Sequence, residues 1–311
     1  MESFQGRPAK AQSSAAPQSP FPAVTVVICT RNRPGDLTAC LDAVSRLNHR
    51  PDEILVVDNS DGDPATEQAA RERGARYVME RAMGLSRARN RGLAESSSEI
   101  VAFIDDDALP SEDWLEQILA PFADPRMAMV SGEVESAGIS RDRSLPVRSL
   151  DAGDPQWFEI ATFGGIGPGT GMAVRKSACS DWKGFDVRLG RGAPIRIAEE
   201  SHAAAAFVDL GYRVAVAPAA IVRHPLKPID REDLAREAAC SLAYWLVLCE
   251  FPGHRIDLIR FLWRRLRGKN LTWPRDPQKP GKIVSSGWRI RLKAGLAGTL
   301  LYLRSRKLRA R

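Results

Sequence analysis

Residues 100–108 read I-V-A-F-I-D-D-D-A, five apolar residues running without a break into three consecutive carboxylates. A short, continuous, β-branched run of this kind predicts a strand buried on both faces, Ile100–Ile104. Helical patterns flank it, from about Ser86 to Glu95 before and from about Glu112 to Phe122 after. Further out, Val24–Cys29, Ile54–Val57 and Arg76–Met79 read as strands, alternating with helical patterns at Asp36–Arg46 and Thr66–Arg73. Such alternation predicts an α/β chain with parallel strands and helices on both faces of the sheet. Later segments read as a helix at Ala198–Leu210, a strand at Tyr212–Ala217 and a long helix at Asp230–Glu250. Ser136–Gly171 lacks periodicity, is rich in glycine and reads as a long surface loop.

In open sheets of this type ligands sit beyond the carboxyl ends of the strands. The segments found there are polar: Thr30-Arg31-Asn32-Arg33-Pro34, Asp58-Asn59-Ser60-Asp61 and Asp105-Asp106-Asp107. If the last of these stays extended, Asp105 and Asp107 share a face and Asp106 points away. Two hard carboxylates aimed at one spot suit Mg²⁺ or Mn²⁺, which complete their shell with water and substrate phosphates. An acidic turn capping the following helix is the competing reading.

Composition narrows the class further. The chain has 311 residues and a net charge of +7, but residues 251–311 carry 17 Lys and Arg against two acids, a net of +15, and the preceding 250 residues are net −8. An acidic body with a basic tail points to an anionic surface as the tail's partner. Apolar and basic residues interleave in Leu258–Arg267 and again in Trp288–Leu308, a pattern of helices lying on a membrane surface. No nucleic-acid motif accompanies the charge, so nucleic acid is the disfavoured partner. The uncharged stretch Ala238–Cys249, inside the long helical pattern, is 12 residues, too short to span a bilayer. Five widely spaced cysteines without a C-x-x-C pair imply reduced thiols in the cytoplasm. Residues 1–22 read as a disordered lead-in with no apolar core of a signal peptide.

Five segments in order resemble glycosyltransferase family 2: V-T-V-V-I-C-T-R-N-R at 24–33, I-L-V-V-D-N-S at 54–60, G-L-S-R-A-R-N-R-G at 84–92, V-A-F-I-D-D-D-A at 101–108, and G-F-D-V-R-L-G-R-G-A-P from 184 followed by A-E-E at 198–200 and the run to His224. The resemblance implies a GT-A (Rossmann-like) fold: a doubly wound mixed sheet, mostly parallel, here with a basic helical C-terminal extension. The expected division is a disordered segment over 1–22, a glycosyltransferase domain over 23–229 and a membrane-associating region over 230–311. The implied reaction moves one sugar, with inversion, from a nucleotide-diphosphate sugar to a hydroxyl of a glycan or lipid-linked acceptor. A UDP-sugar is the first choice of donor. The setting is cell-envelope or exopolysaccharide assembly on the inner face of the membrane. The chain lacks the Q-x-x-R-W signature of processive members, so addition of a single sugar is expected.

The resemblance also assigns roles. The loop from Thr30 to Arg33, with Thr30, Arg31 and Asn32 as the named contacts, matches the segment lining the nucleotide pocket, Asp58 the contact to base or ribose, and Arg89 and Asn90 a segment facing the nucleotide. Asp105 and Asp107 match the D-x-D pair reaching the metal (Mg²⁺ or Mn²⁺) and the ribose, with Asp106 able to share either role. Glu199 and Glu200 stand where the family places Glu-Asp, with Glu200 as the base that takes the acceptor's proton. His224 matches a position that in some members supplies an imidazole to the metal. Trp157, Trp182 and Phe185 are candidates for stacking on the acceptor, and glycines 164, 165, 167, 169 and 171 for a loop closing over the donor. The bland alternatives are a turn-forming Asp58, a solvated helical face for the arginines, an acidic first turn at Glu199–Glu200, a structural His224 and aromatics packed in the core. Two rival functions stay open: a sugar-phosphate nucleotidyltransferase, although Thr30–Pro34 lacks its glycine-rich loop, and a catalytically silent membrane-bound sugar-nucleotide or glycan-binding subunit.

Overall fold

The structure is a computed structural model that describes residues 20–136, 140, 142–163, 166–225, 231–266 and 288–309. Most of the expected lead-in, residues 1–19, and the basic stretch 267–287 lie outside the described residues. The first half alternates as anticipated: β1 (Val24–Thr30), α1 (Pro34–Val44), β2 (Glu53–Asp58), α2 (Pro64–Glu72), β3 (Arg76–Met79), α3 (Leu85–Glu95) and β4 (Ile100–Asp105). There follow β5 (Leu109–Pro110), α4 (Trp114–Leu119), β6 (Met127–Glu135), β7 (Arg148–Leu150), α5 (Trp157–Thr162), β8 (Gly171–Arg175), α6 (Glu199–Asp209) and β9 (Arg213–Arg223). Three helices close the chain: α7 (Arg231–Leu248), α8 (Arg255–Leu266) and α9 (Trp288–Arg309).

These strands form one mixed sheet in the order β3-β2-β1-β4-β8-β6-β9-β5, with β7 also on β9. Strands β3, β2, β1 and β4 are parallel, as are β6 and β9, while β8 runs antiparallel to both β4 and β6. Alternate residues of the central strands feed two cores, as a doubly covered sheet requires. Val24, Val26, Ile28, Ile100, Ala102 and Ile104 pack on α1, α2 and α4, whereas Val27, Leu55, Val57, Val101 and Phe103 face α3, α5, α6 and α7. Helix α7 contributes Cys240, Ala243, Tyr244, Val247 and Leu248 to that second core, and α9 lies on α7.

Several sequence expectations need correction. The periodicity hid β6 and β8, because M-A-M-V-S-G-E-V-E is poor in β-branched residues and G-M-A-V-R is only five residues long. The presumed loop 136–171 holds β7 and α5 among its described residues. The helix expected to reach Phe122 stops at Leu119 and tightens into a 3₁₀ turn over Ala120–Ala123, where Pro121 ends the α-helical ladder. Strand β9 runs six residues past Ala217 despite Pro218. The pairing explains how: the register between β6 and β9 jumps from Ser131↔Val216 to Glu133↔Ile221, so the proline falls in an irregularity where no ladder hydrogen bond is demanded of it. All five cysteines are free. Among the described residues no helix is long and apolar enough to cross a membrane.

Glycine is required where β6 meets this kink. A Cβ on Gly132 would lie 2.2 Å from the carbonyl oxygen of Ala220, an immovable backbone atom. Gly35, in contrast, has nothing within 4 Å of its virtual Cβ and sits in the first turn of α1. Gly132→Ala is therefore expected to destabilise the fold by about 1–3 kcal/mol through overpacking, and Gly35→Ala to be neutral or to stabilise it by up to about 1 kcal/mol. Urea unfolding of the two variants checks both signs.

Candidate active site

Parallel pairing brings the carboxyl ends of three strands side by side, with Thr30 beside Asp58 and Cys29 beside Asp105. After Asp105 the chain does not stay extended. It turns, with the amide of Ala108 donating to the carbonyl of Asp105 at 3.1 Å, and Leu109 then pairs with Arg223 of β9. That short pairing sets His224 opposite the turn. Donor atoms of Asp105, Asp107 and His224 all lie within 4.8 Å of one another; Asp106 is outside this group but lines the same cavity and shares Arg33 with Asp107, so it does not point away as strand alternation predicts. The Asp106 carboxylate is buried and accepts a 2.8 Å hydrogen bond from the Thr30 hydroxyl. Burial pushes its pKa up to about 6, against the lowering pull of Thr30 and Arg33. The Nε2 of His224 is 3.0 Å from Asp107 Oδ1, and this partner raises the imidazole pKa. Two carboxylates and an imidazole at this spacing form a donor set that fits a divalent cation.

A cavity of about 470 Å³ opens on this cluster, lined by Thr30, Arg31, Arg33, Asn59, Met83, the three aspartates, Arg191 and Arg196. A second hollow of about 240 Å³ adjoins it, lined by Arg89, Pro168–Thr170, Ala198, Glu199 and Glu200. Leu85, Asp105, Arg191 and Arg196 border both. Arg89, 2% exposed, holds the junction together. It donates to Glu199 Oε1 at 2.8 Å and to the carbonyl of Gly169 at 3.0 Å, and its Nη2 lies 3.6 Å from Asp105. Glu200 begins α6 beside this pair. Burial first, and the charge of Glu199 second, hold its carboxyl above the usual carboxylate range. The residue before the pair, Ala198, is left-handed at φ 67°, a strained conformation for alanine that fixes how α6 presents its first turn.

Several expected site residues are elsewhere. Asp58 is fully buried, accepting from the amide of Ser60 at 2.9 Å and from the Tyr77 hydroxyl at 2.8 Å, so it is a turn-forming aspartate and its neighbour Asn59 faces the cavity. Asn90 clamps the backbone of Phe185 with bonds of 2.9 and 2.8 Å. Asn32 is exposed and left-handed at φ 53°, and it does not line the cavity. Trp182 and Phe185 belong to the core, and Trp157 packs edge-on against Phe158 and His254. Gly171 is part of β8 and the Gly169 carbonyl accepts from Arg89; Gly164 and Gly165 lie outside the described residues. Sequence reasoning placed Arg33 in the loop matched to the nucleotide pocket without giving it a role of its own, and gave none to Arg191 or Arg196. The signal was present in R-N-R at 31–33, G-R-G at 190–192 and I-R-I at 195–197, basic residues within or next to the segments that carry the resemblance. Cys29 lines the cavity too, but burial pushes its thiol up to about 12, which leaves it protonated and inert.

Comparisons agree with this architecture. The profile described as Glycosyl transferase family 2 matches residues 25–182. A pre-mycofactocin glycosyltransferase of Mycobacterium tuberculosis is 30% identical over 227 residues, 69% of this chain and 45% of that protein, so the chain spans about half the length of this relative. The glycosyltransferase AglE of Haloferax volcanii is 27% identical over 222 residues, 68% of this chain and 69% of that one. Among solved structures, a Pyrobaculum calidifontis mannosyltransferase in complex with GDP-Man and Mn²⁺ superposes with a TM-score of 0.59 at 20% identity, covering 97% of this chain and 82% of its own. Glucosyl-3-phosphoglycerate synthase of Mycobacterium tuberculosis, in complex with Mn²⁺, UDP and glucosyl-3-phosphoglycerate, does so with a TM-score of 0.53 at 22% identity, covering 74% and 81%. These two likenesses establish the GT-A fold.

Because Arg89 and Glu199 are a buried pair, removing one partner strands the other's charge. Arg89→Met is expected to cost about 3–5 kcal/mol in denaturant unfolding. Adding Glu199→Gln to it should recover a measurable part of that loss.

Proposed function

The chain belongs to glycosyl transferase family 2, and from that membership we propose that it transfers one sugar, with inversion, from a nucleotide-diphosphate sugar to a hydroxyl of a glycan or lipid-linked acceptor. The observation that carries the reading is Asp105, which borders both hollows: the metal-ligand cluster lies on one side of it and Glu200 on the other. A donor lying across that junction would present its diphosphate to the aspartates and its anomeric carbon to the hollow of Glu200. Thr30, Arg31 and Asn59 line the part of the cavity assigned to the nucleotide. Asp105, Asp107 and His224 would hold the divalent cation, Mg²⁺ or Mn²⁺, which when bound supplies positive charge where the leaving diphosphate gains negative charge. Arg191 and Arg196, at the border of both hollows, add charge of the same sign. A UDP-sugar is our first choice of donor.

Glu200 serves as general base. An acceptor hydroxyl attacking opposite the diphosphate must lose its proton, and a carboxylate whose pKa burial has raised takes that proton more readily once it is ionised. The longer glutamate side chain, where the family usually has aspartate, reaches the hollow from the strained start of α6.

The basic tail is assigned to an anionic membrane surface, in keeping with a lipid-linked acceptor and with a cytoplasmic, peripheral location on the inner leaflet, in cell-envelope or exopolysaccharide assembly. Helix α8 supports this. It is seated by Phe261, stacked on Phe163 at 4.0 Å, and by His254, stacked on Phe158 at 4.4 Å. Its outer face nevertheless exposes Ile256, Ile259 and Trp263, with Arg255 and Arg260 beside them. Helix α9 likewise exposes Leu296, Leu300 and Leu303. Apolar stripes flanked by arginine suit the lipid interface.

Two measurements test the proposal. Nucleotide-diphosphate release from a panel of nucleotide sugars with Mn²⁺ should fall by about 10²–10⁴-fold in Glu200→Gln, with donor affinity near that of the parent. Since the ionised form of Glu200 is the active one and its pKa is raised, kcat/KM of the parent should climb with pH well above the ordinary glutamate value of about 4.3. A flat acidic limb refutes the base. For the membrane, flotation with vesicles containing anionic lipid should weaken in the triple variant Ile256→Glu, Ile259→Glu, Trp263→Glu, by about 1 kcal/mol or more per altered contact. Equal flotation removes the anchor.

A further inference from the structure

Arg33 differs from the other arginines of the site. Arg89 and Arg188 are almost wholly buried and each is committed to fixed partners, Arg89 to Glu199 and Gly169 and Arg188 to Asp186 and Glu250. The Arg33 side chain is one-third exposed, follows Thr30, Arg31 and Asn32 at the end of β1, and lines the cavity. Its Nη1 lies 2.7 Å from Asp107 Oδ2 and 3.1 Å from Asp106 Oδ1, with Asp36 at 4.0 Å. Asp107 is thereby bracketed, its Oδ1 facing His224 and its Oδ2 facing Arg33. The backbone of Arg33 is fixed independently, its carbonyl accepting from the amide of Leu37 at 3.0 Å, so the side chain can move without disturbing α1.

We propose that the Arg33 guanidinium is a displaceable counter-ion: it neutralises Asp106 and Asp107 before a divalent cation binds and turns to the donor's diphosphate once one is bound. The charge balance argues for it. Two neighbouring carboxylates with restricted access to water need a positive partner, and Arg33 stands in that place. A cation bound by Asp107 makes the guanidinium surplus there. The nearest anion to accept it is then the diphosphate, whose oxygens suit a planar fork of N–H donors. The inference rests on the reading of Asp105, Asp107 and His224 as the metal seat.

The sign of the effect separates this role from a structural one. An arginine that only pins the turn would, when removed, loosen the aspartates and weaken the binding of both cation and nucleotide. A displaceable counter-ion competes with the cation, so its removal has opposite effects on the two. Binding of Mn²⁺ alone to the full chain, followed by electron paramagnetic resonance, should tighten about fivefold or more in Arg33→Met because a competing charge is gone. Binding of UDP and GDP in saturating Mn²⁺, followed by calorimetry, should weaken about tenfold or more in the same variant through loss of charge-assisted hydrogen bonds. Arg33→Lys, which keeps the charge but not the fork, should bind Mn²⁺ like the parent and the nucleotides less tightly. Thermal melting of each variant reports that it is folded. Mn²⁺ affinity that is unchanged or weaker in Arg33→Met, beside a competent parent, overturns this inference alone. A parent that takes up no more Mn²⁺ than Asp107→Ala overturns the metal seat and this inference with it.

Discussion

Five carboxylates, Asp105, Asp106, Asp107, Glu199 and Glu200, are gathered at one edge of the sheet, and their mutual repulsion is the constraint that the rest of the site answers. Each answer is local. Arg89 crosses from α3 to neutralise Glu199 beside Asp105, and Arg33 reaches from the end of β1 to Asp106 and Asp107. The remaining excess appears as raised pKa values at Asp106 and Glu200, the two groups whose burial leaves them least compensated. A site held at this electrostatic tension is ready for a cation on one side and a proton on the other, the two charges that transfer from a nucleotide sugar requires.

The layered sheet and most of this edge were legible in the sequence because they rest on local signals. Buried parallel strands write themselves as apolar runs, and V-T-V-V-I-C-T, I-L-V-V-D and I-V-A-F-I-D carry that mark. What failed to show was set by distant partners. Strand β8 owes its existence to antiparallel neighbours on both sides rather than to its own five residues. Asp58 reads as a ligand by position, and only the hydroxyl of Tyr77, nineteen residues away, reveals that its carboxylate is already used. Trp182 and Phe185 looked available for the acceptor because composition does not say on which side of a chain the core lies. The pairing of Asp105 with Asp107 was expected from strand alternation, whereas the turn at Ala108 and the two-residue strand β5 are what bring them to His224.

The C-terminal helices contribute to the site from behind. Arg188 forks onto Asp186 and reaches Glu250 just past α7, binding the segment that carries Arg191 and Arg196 to a helix of the second core. Helix α9 approaches α7 so closely that a Cβ at Gly298 would stand 2.7 Å from the carbonyl of Ala239. Helices α7, α8 and α9 thus combine an inner face continuous with the catalytic body and an outer face of exposed isoleucine, leucine, tryptophan and arginine.

The irregularity at Pro218 divides β9 into a stem, paired with β6 and β7, and a tip, paired with β6 and β5, that leads directly into His224. Side chains along a strand change sides at every step, so the number of residues between Val216 and the tip has a parity as well as a length. Beyond the irregularity that parity is fixed by the pairing of Ile221 with Glu133 and of Arg223 with Leu109, and the span itself is filled by buried Ala217 and Ala220, so its packing and its register together turn the imidazole toward Asp107.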